Sequence, residues 1–580
     1  MAPVGSGNGN YFNRRLAFIK LVFLLGILLI LVRLFQLQVI NHNWYEALAS
    51  GQHDILANLV PKRGDIYIQD KYASKGRVSA AINKEVKLLY AIPTEITNID
   101  QTASALAPVL GMEDEELRII LDKPGDPYEP IKHYLNDQQV ERVQELGLVG
   151  IKFLPESVRF YSPIPGLGQV LGFVGFVENE RQGQYGIEGF WQEELAGKEG
   201  RLRAEKDVAG SLIALGKRDI IPAKDGSDLV LTIDYNIQTT ACTELKRAVK
   251  QHGADSGSLV IMNPESGAVL ALCNEPTFDP NYYNESEDIK VFTNPVVSHS
   301  YESGSVFKPI TMAAALEHNK VTPETTYEDT GEVKISPETI RNSDGEAYGK
   351  QNMTSVLENS LNTGAIFAMR QAGADNFRQI VEAFGFGALT EIELPTEVKG
   401  SINSLYDGKE IYLATASFGQ GISVTPLQLL TAYAAIANKG KLMKPYIVSE
   451  IISSDDSSEL TKPQEVRTVL SSAVARTLAG MMVKVVEGSH GRRAAVPGYF
   501  VAGKTGTAQV PLTDRAGYDP NITIGTFVGF APVDNPRFVM LVKIDNPKDV
   551  KFAESTAAPV FGRVAKFLLD YLEVPPEREL

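Results

Sequence analysis

One serine and one lysine stand three positions apart at the start of a predicted helix. Ser305 and Lys308 lie in YESGSVFKPITMAAALEH, where Gly304 precedes an Ala-rich apolar run and Pro309 fits only the opening turn. Side chains at i and i+3 share a helix face, so the Lys308 amine can reach the Ser305 hydroxyl and take its proton. The helix N-terminus would favour an oxyanion there. The segment predicts a serine nucleophile, although Ser-x-x-Lys also arises by chance.

A second serine motif is Ser360-Leu361-Asn362, in SVLENSLNTGAIFAM. The pattern Ser-x-Asn is weak, because it also occurs at Ser6 and Ser401 and is commonly a helix cap. Ser360 falls between two helical segments, where a loop could present its hydroxyl to a ligand.

The third motif is Lys504-Thr505-Gly506-Thr507, flanked by β-forming residues in YFVAGKTGTAQV. We predict a strand here, with Gly506 lacking a side chain so that an extended ligand can approach the strand edge. Lys504 can bind a carboxylate and, as a like charge, can lower the pKa of Lys308. The alternative is a simple Gly-Lys-Thr-Gly turn.

Several function classes are excluded or disfavoured by motif context and composition. Gly498–Thr505 matches a phosphate-binding loop, but its interior is a strand sequence, and Gly506 and Pro511 would break the helix that must follow. The net charge of −15 disfavours nucleic acid as a partner. The seven histidines are scattered, and no metal or other cofactor is expected. Cys242 and Cys273 could form one bridge, which the sequence alone leaves open.

The elements around the motifs indicate an α+β fold. Residues 257–276 predict two strands around a turn, 523–532 and 537–545 predict two more, and helices are predicted at 237–253 and 558–573. Strands at both ends of this half, with helices between, favour a mainly antiparallel sheet flanked by helices. We place this domain at 226–580, behind a mixed domain at 39–225.

The N-terminal segment 16–38 predicts a single transmembrane anchor. Its only charged residues are Lys20 near its start and Arg33 near its end, and it is long enough to cross a bilayer. Arg14 and Arg15 favour a cytoplasmic tail at 1–15, with the remainder outside. A cleaved signal peptide fits less well because small residues do not follow the apolar run. A buried core helix is the other alternative.

The order of the three motifs resembles that of the penicillin-interacting enzymes. Their surroundings resemble class B penicillin-binding proteins, which are membrane-anchored, monofunctional D,D-transpeptidases of bacterial cell-wall synthesis. The resemblance rests on YESGSVFKP, LENSLNTG, SFGQGISVTPLQLLTAYAAIANKG, VPGYFVAGKTGTAQ, TFVGFAPVDNPRFVM, Arg63-Gly64-Asp65-Ile66-Tyr67 and YGIEGFWQEELAGKEG. It departs at Ser303, where the family often has Pro, and at Leu361, where Ser is commoner. It implies a penicillin-binding domain behind an N-terminal pedestal (dimerisation-type) domain.

The resemblance also implies a role for each motif residue. Ser305 would attack the penultimate D-Ala carbonyl of a stem peptide, and Lys308 would be its base. Ser360 would relay a proton to the leaving amine, and Asn362 would bind the acylated chain. The substrate carboxylate would be held by Lys504 and Thr505, and the oxyanion by the N–H groups of Ser305 and Thr507. An amine of a second stem peptide would then complete the cross-link, and β-lactams would acylate Ser305.

Within the family, SFGQGISVTPLQL favours a septal role over a side-wall role. Either role implies a SEDS-type glycosyltransferase as a partner in the bacterial cytoplasmic membrane. A non-catalytic scaffold, a D,D-carboxypeptidase and a β-lactam sensor are the remaining alternatives, although every reacting side chain is present.

Overall fold

The computed structural model describes residues 33, 61–178, 180–204, 218–488, 490–512 and 517–579. The predicted tail at 1–15 and, except for Arg33, the predicted anchor at 16–38 lie outside these residues. Within the part of the chain that is described, no helix is both long and apolar enough to cross a membrane. The larger of two compact units comprises Arg63–Ala196 and Ser227–Leu580. The described part of the smaller unit includes one antiparallel hairpin, Arg201–Ala204 with Arg218–Ile221.

Strands and helices alternate along the described residues. The strands are β1 Ile66–Gln69, β2 Arg77–Ala91, β3 Glu129–Leu135, β4 Ile151–Tyr161, β5 Phe173–Val177, β6 Glu180–Gln184, β7 Arg201–Ala204, β8 Arg218–Ile221, β9 Asp228–Asp234, β10 Ser256–Met262, β11 Val269–Glu275, β12 Thr326–Asp329, β13 Glu332–Ile335, β14 Glu338–Arg341, β15 Gly349–Asn352, β16 Lys441–Met443, β17 Val448–Ile452, β18 Ser458–Leu460, β19 Glu465–Thr468, β20 Ala502–Pro511, β21 Tyr518–Ala531 and β22 Phe538–Asp545. The α-helices are α1 Ile99–Leu110, α2 Asp114–Leu121, α3 Asp137–Glu145, α4 Gly168–Leu171, α5 Gly186–Phe190, α6 Gln192–Ala196, α7 Tyr235–Gln251, α8 Pro295–Ser298, α9 Lys308–Glu317, α10 Met353–Glu358, α11 Asn362–Ala372, α12 Ala374–Ala383, α13 Glu410–Ala416, α14 Pro426–Ala437, α15 Ser472–Glu487 and α16 Ala557–Tyr571.

A five-stranded antiparallel sheet separates two hydrophobic cores. Its order is β11-β10-β22-β21-β20, so β20 forms one edge. Along β10, Leu259 and Ile261 belong to a core with α7 and α16, whereas Val260 and Met262 belong to one with α9 and α14. Because both faces are covered, the central strands β10 and β22 contain continuous apolar runs, Leu259–Met262 and Phe538–Val542. The predicted antiparallel sheet flanked by helices is present.

The two cysteines, whose pairing the sequence left open, form a disulfide. It joins Cys242 of α7 to Cys273 of β11. The bridge closes a 31-residue span, so it restricts the unfolded chain and attaches α7 to the sheet beneath it.

A seven-stranded sheet takes strands from both sides of the predicted boundary at residue 225. Its order is β18-β17-β9-β1-β2-β3, with β4 also paired to β2. Leu229 of β9 lies between Ile66 of β1, which runs parallel, and Ile451 of β17, which runs antiparallel. The N-terminal part adds its own small core, built from α1, α2, β2 and β3.

A buried ion cluster stands beside this sheet. The Glu188 carboxylate is fully buried and lies 2.6 Å from Arg63 Nη2 and 2.7 Å from Arg159 Nε. Burial alone would raise the pKa of Glu188, but the charges of Arg159 and Arg63 outweigh it and lower that pKa. Arg63, the first residue of the motif Arg63–Tyr67, therefore forms a buried ion pair with Glu188 in the motif YGIEGFWQEELAGKEG.

We expect Glu188→Gln to lower the free energy of unfolding by about 3–5 kcal/mol. It removes the carboxylate that Arg63 and Arg159 share and leaves Arg159 with only the more distant Asp65, 3.9 Å away. Because the folded-state pKa of Glu188 is lowered, its stabilisation is present at neutral pH and is lost as the pH falls. Urea unfolding at pH 7.5 measures the loss. The exposed Glu193→Gln is the control, with a change within about 0.5 kcal/mol. Equal unfolding midpoints for both variants would contradict the expectation.

Candidate active site

Ser305 lies at the entrance of a helix, as the sequence predicts. It belongs to a 3-10 turn, Gly304–Phe307, that leads directly into α9, with Pro309 in the first turn of α9. Gly304 takes a positive φ of 63°, and its N–H donates to the Gly419 carbonyl at 3.1 Å. Ser305 itself is partly exposed and lines a cavity of about 700 Å³.

Lys308 is almost fully buried at the first position of α9, with 1% of its surface exposed. Its amine donates to the Ser360 carbonyl and, at 3.2 Å, to the Ser360 hydroxyl. The sequence suggested a contact with the Ser305 hydroxyl instead; no such hydrogen bond exists among the described residues. A buried amine needs acceptors, and Ser360 supplies two.

The pKa of Lys308 is well below its ordinary value. Burial is the main cause, and the charge of Lys504 lowers it further, while Asp344 acts in the opposite direction. The prediction that Lys504 depresses this pKa is therefore confirmed in direction. A lysine that is readily neutral can accept a proton, as a general base must.

Ser360 lies in the short connection between α10 and α11, as predicted. Its backbone is left-handed, with φ of 57°, a conformation that non-glycine residues rarely adopt. Its hydroxyl accepts hydrogen bonds from Lys308 and, at 3.0 Å, from Lys504. The strained backbone thus holds one hydroxyl between two buried amines.

Asn362 begins α11 and also lines the cavity. Its amide nitrogen donates to the Arg341 carbonyl at 2.9 Å, which fixes the side chain against β14.

Lys504 is fully buried on β20, the edge strand of the five-stranded sheet. Besides Ser360, its amine donates to the Thr505 carbonyl at 2.9 Å. Burial lowers the pKa of Lys504 to about 7, and the charge of Glu554 opposes that shift. The amine can therefore be charged or neutral near physiological pH.

Thr505 and Thr507 line the cavity from β20. Gly506 lies between them, and the side on which it lacks a Cβ faces the turn that carries Ser305. A Cβ at this position would lie 2.9 Å from Val306 N and 3.0 Å from the Ser303 carbonyl oxygen. The missing side chain makes room for the turn that carries Ser305, and the approach of a ligand at Gly506 stays a prediction. The strand and the nucleophile turn are therefore packed backbone to backbone.

Two more residues near the turn were not singled out for a role in the sequence. Glu302 accepts hydrogen bonds from the Gly421 N–H at 3.0 Å and from the Tyr518 hydroxyl at 2.9 Å, so it joins three segments next to Ser305. Ser303, where the family often has Pro, has a buried hydroxyl with no hydrogen-bond partner among the described residues.

The cavity brings together all three motifs and several residues that sequence analysis missed. Ser305, Ser360, Asn362, Thr505 and Thr507 line it. The additional lining residues include Arg341, Asp344, Phe418, His490, Lys551 and Glu554. They come from β14 and the turn after it, from the segment after α13, from the segment after α15 and from the loop before α16. Their convergence depends on contacts between distant parts of the chain.

We expect Gly506→Ala to slow acylation by benzylpenicillin about 10–100-fold, because its methyl group must displace the turn that carries Ser305. Stopped-flow or quenched mass spectrometry measures the rate. Gly480→Ala is the matched control: it lies inside α15, and a Cβ there meets nothing within 4 Å. Unchanged acylation in Gly506→Ala would show that the close packing is dispensable.

Comparison with known proteins gives consistent matches. Residues 257–566 match the penicillin binding protein transpeptidase domain, and residues 58–231 match the penicillin-binding protein dimerisation domain. Stage V sporulation protein D of Bacillus subtilis (strain 168) is 32% identical over 572 residues, 97% of this chain and 87% of that protein. The probable peptidoglycan D,D-transpeptidase PenA of Neisseria meningitidis is 30% identical over 538 residues, 90% of this chain and 89% of that protein.

Solved structures share the fold. Penicillin binding protein 3 from Mycobacterium tuberculosis, complexed with aztreonam, aligns with a TM-score of 0.69 at 25% identity, covering 90% of this chain and 98% of that one. Penicillin binding protein 2X from Streptococcus thermophilus aligns with a TM-score of 0.74 at 23% identity, covering 88% and 80%.

A transpeptidase domain of this fold, with a serine in the cavity and two buried lysines on the Ser360 hydroxyl, defines a serine-type acyltransferase of the penicillin-interacting class. The chain belongs to the class B penicillin-binding proteins, as the motif resemblance predicted. It is therefore a D,D-transpeptidase of peptidoglycan synthesis with an N-terminal dimerisation domain.

Proposed function

We propose that this enzyme cross-links stem peptides through an acyl-enzyme on Ser305. The observation that carries the proposal is the convergence of Lys308 and Lys504 on the Ser360 hydroxyl, in the cavity that Ser305 lines. Repulsion between two buried ammonium groups disfavours the state in which both lysines are charged. One lysine is therefore readily neutral and available as a base.

In the proposed reaction each of these side chains has one role. Lys308 takes the Ser305 proton as the hydroxyl attacks the penultimate D-Ala carbonyl, and Ser360 passes a proton to the departing D-Ala amine. Lys504 and Thr505 hold the terminal carboxylate of the donor. The backbone N–H groups of Ser305 and Thr507 receive the oxyanion.

Asn362 hydrogen-bonds the acylated chain. The acyl group then passes to an amine of a second stem peptide. β-Lactams, whose amide resembles the donor bond, acylate the same serine and leave slowly.

The proposed site of action is the septum, with side-wall synthesis as the alternative. The motif SFGQGISVTPLQL at 417–429 supports the septal role. The Bacillus subtilis relative is named for sporulation. Cross-linking of peptidoglycan during spore formation is therefore a second alternative role for this enzyme. Fluorescence microscopy of the protein fused to a fluorescent protein distinguishes the septal role from the side-wall role. A mid-cell band supports the septal role, and fluorescence along the lateral wall contradicts it.

The proposed location is the outer face of the bacterial cytoplasmic membrane, with segment 16–38 as a single anchor and the N-terminus inside. The apolar segment and its flanking arginines support this orientation. The Cys242–Cys273 disulfide also supports it, because such bridges persist in oxidising compartments. A SEDS-type glycosyltransferase in the same membrane is the proposed partner.

Product analysis tests the activity directly. The full-length protein in detergent is incubated with a pentapeptide stem donor and an amine acceptor, and the products are separated by mass. A cross-linked product supports transpeptidation. Trimmed stem peptide as the only product would indicate a carboxypeptidase. Acylation without turnover would indicate a β-lactam sensor, and the absence of any reaction would indicate a non-catalytic scaffold.

A further inference from the structure

Three side chains from loops far apart in the sequence meet at one side of the active-site cavity. Asp344 follows β14, His490 follows α15, and Glu554 precedes α16. His490 Nδ1 lies 3.0 Å from Glu554 Oε2, and both side chains remain partly exposed to the cavity. None of the three has a task in the donor half of the reaction.

Glu554 is held close to the strand that carries Lys504. The N–H of Ala553, its neighbour in the chain, donates to the Thr507 hydroxyl at 3.1 Å. The Thr523 hydroxyl donates to the Lys551 carbonyl, also at 3.1 Å. These bonds attach the loop to β20 and β21, so the position of Glu554 is fixed relative to the reacting groups.

The carboxyl groups of Glu554 and Asp344 each affect the pKa of one active-site lysine. The charge of Glu554 raises the pKa of Lys504, and that of Asp344 raises the pKa of Lys308, in each case against the larger effect of burial. Burial would raise the pKa of Asp344 itself, but hydrogen bonds, first from the Tyr348 hydroxyl, and the charge of His490 lower it. Asp344 is thus an anion at neutral pH.

The cationic side chains of the same cavity already have partners. Arg341 Nη2 lies 3.2 Å from Glu332, and Lys551 Nζ donates to the Pro520 carbonyl at 3.0 Å. Among the described residues, neither of these cations forms an ion pair with Glu554 or Asp344, so the two carboxylates are open to a cation that arrives with the substrate. The second half of the reaction brings one, because a primary amine in water near pH 7 is an ammonium ion.

We infer that Glu554 and Asp344 bind the ammonium group of the acceptor stem peptide, with His490 as the residue that positions Glu554. The inference rests on Ser305 as the nucleophile. The bound ammonium gives up one proton to water and attacks the acyl carbon as an amine. Its nitrogen forms the new amide bond as the bond from Ser305 Oγ breaks, and its second proton returns to that oxygen through Ser360 and Lys308. No oxidant or reductant is required.

Competition between a charged and a neutral acceptor tests the inference. The full-length protein receives an N-acylated D-alanyl thioester as donor, with glycinamide or methanol as acceptor, and the ratio of transfer to hydrolysis is measured. In Glu554→Gln and in Asp344→Asn we expect this ratio to fall about tenfold for glycinamide, the effect of losing one charge-assisted hydrogen bond. The ratio of methanol transfer to hydrolysis should stay within about twofold. Any change in the lysine pKa values alters how fast the acyl-enzyme forms, and this effect cancels because all acceptors compete for the same acyl-enzyme.

Two further variants separate positioning from general damage to the loop. His490→Gln keeps a donor for Glu554 and should retain most of the glycinamide ratio, whereas His490→Ala should reduce it. Asp549→Asn is the matched control: it removes a carboxylate from the same loop, where Asp549 pairs with His252 outside the cavity. Its ratio should not change.

An unchanged glycinamide ratio in Glu554→Gln and Asp344→Asn would overturn the inference. So would an equal loss for glycinamide and methanol, which would indicate distortion of the site. Failure of Ser305 to form an adduct in the wild-type protein would instead contradict the underlying assignment of the nucleophile.

Discussion

Replacing Ser305 with alanine is expected to abolish the covalent adduct that benzylpenicillin forms with the full-length protein. Ser305 supplies the oxygen that bonds to the opened β-lactam, and a methyl group cannot take its place. We expect one adduct per wild-type chain, and an acylation rate in Ser305→Ala lower by at least about 10³-fold. Intact-mass spectrometry after incubation with the antibiotic measures both.

The variant should fold normally, because Ser305 is partly exposed and its hydroxyl makes no hydrogen bond among the described residues. Matching circular dichroism and unfolding midpoints provide the control for folding. Ser303→Ala, two positions earlier, tests the site specificity of the loss, since its hydroxyl is buried and unpartnered in the described structure. An adduct that persists in Ser305→Ala would assign the nucleophile to another residue.

Replacing Lys308 with methionine is the second change with a very large expected effect. Methionine fills a similar volume but cannot accept the Ser305 proton, so acylation should fall about 10²–10⁴-fold. Stability should change by less than about 1.5 kcal/mol, because the loss of two hydrogen bonds to Ser360 is offset by no longer burying an amine.

Chemical quench with labelled penicillin measures the rate for Lys308→Met. Lys320→Met, at an exposed position just after the same helix, should acylate like the wild type. Wild-type acylation by Lys308→Met would exclude Lys308 as the base.

The two lysines also set the direction of the pH dependence. Lys308 must be neutral to act as a base, so acylation should decline as the pH falls and the amine is protonated. Lys504 must be charged to hold the carboxylate, and with its pKa lowered to about 7 this binding should weaken as the pH rises beyond that value. We expect a bell-shaped profile of acylation against pH, whose two apparent pKa values belong to the pair.

The reacting groups could be predicted from the sequence because each belongs to a short motif whose spacing carries the chemistry. Ser305 and Lys308 share one turn, and Lys504 with Thr505 lies on one strand. Local patterns likewise predicted the strands β10, β11, β21 and β22 and the helices α7 and α16. Local sequence suffices where the chemistry is local.

The remaining features depend on contacts between distant segments. His490 and Glu554 belong to separate loops and become a pair only when α15 and α16 pack against the same sheet. The packing of the Val306 turn against Gly506 could not be predicted, because Val306 and Gly506 are 200 residues apart in the chain. The contact of Lys308 with Ser360 was missed for the same reason.

The seven-stranded sheet has a consequence for the order in which the protein can be made. Its strand β1 needs β9 as a neighbour, and β9 in turn needs β17, which begins at Val448. A ribosome must therefore produce more than three quarters of the chain before the sheet can be completed. Strand pairings across such long spans form slowly. Until they form, β1 and β9 have unpaired edges that can pair incorrectly. Nascent chains truncated before Val448 should consequently depend on chaperones and be cut readily by proteases.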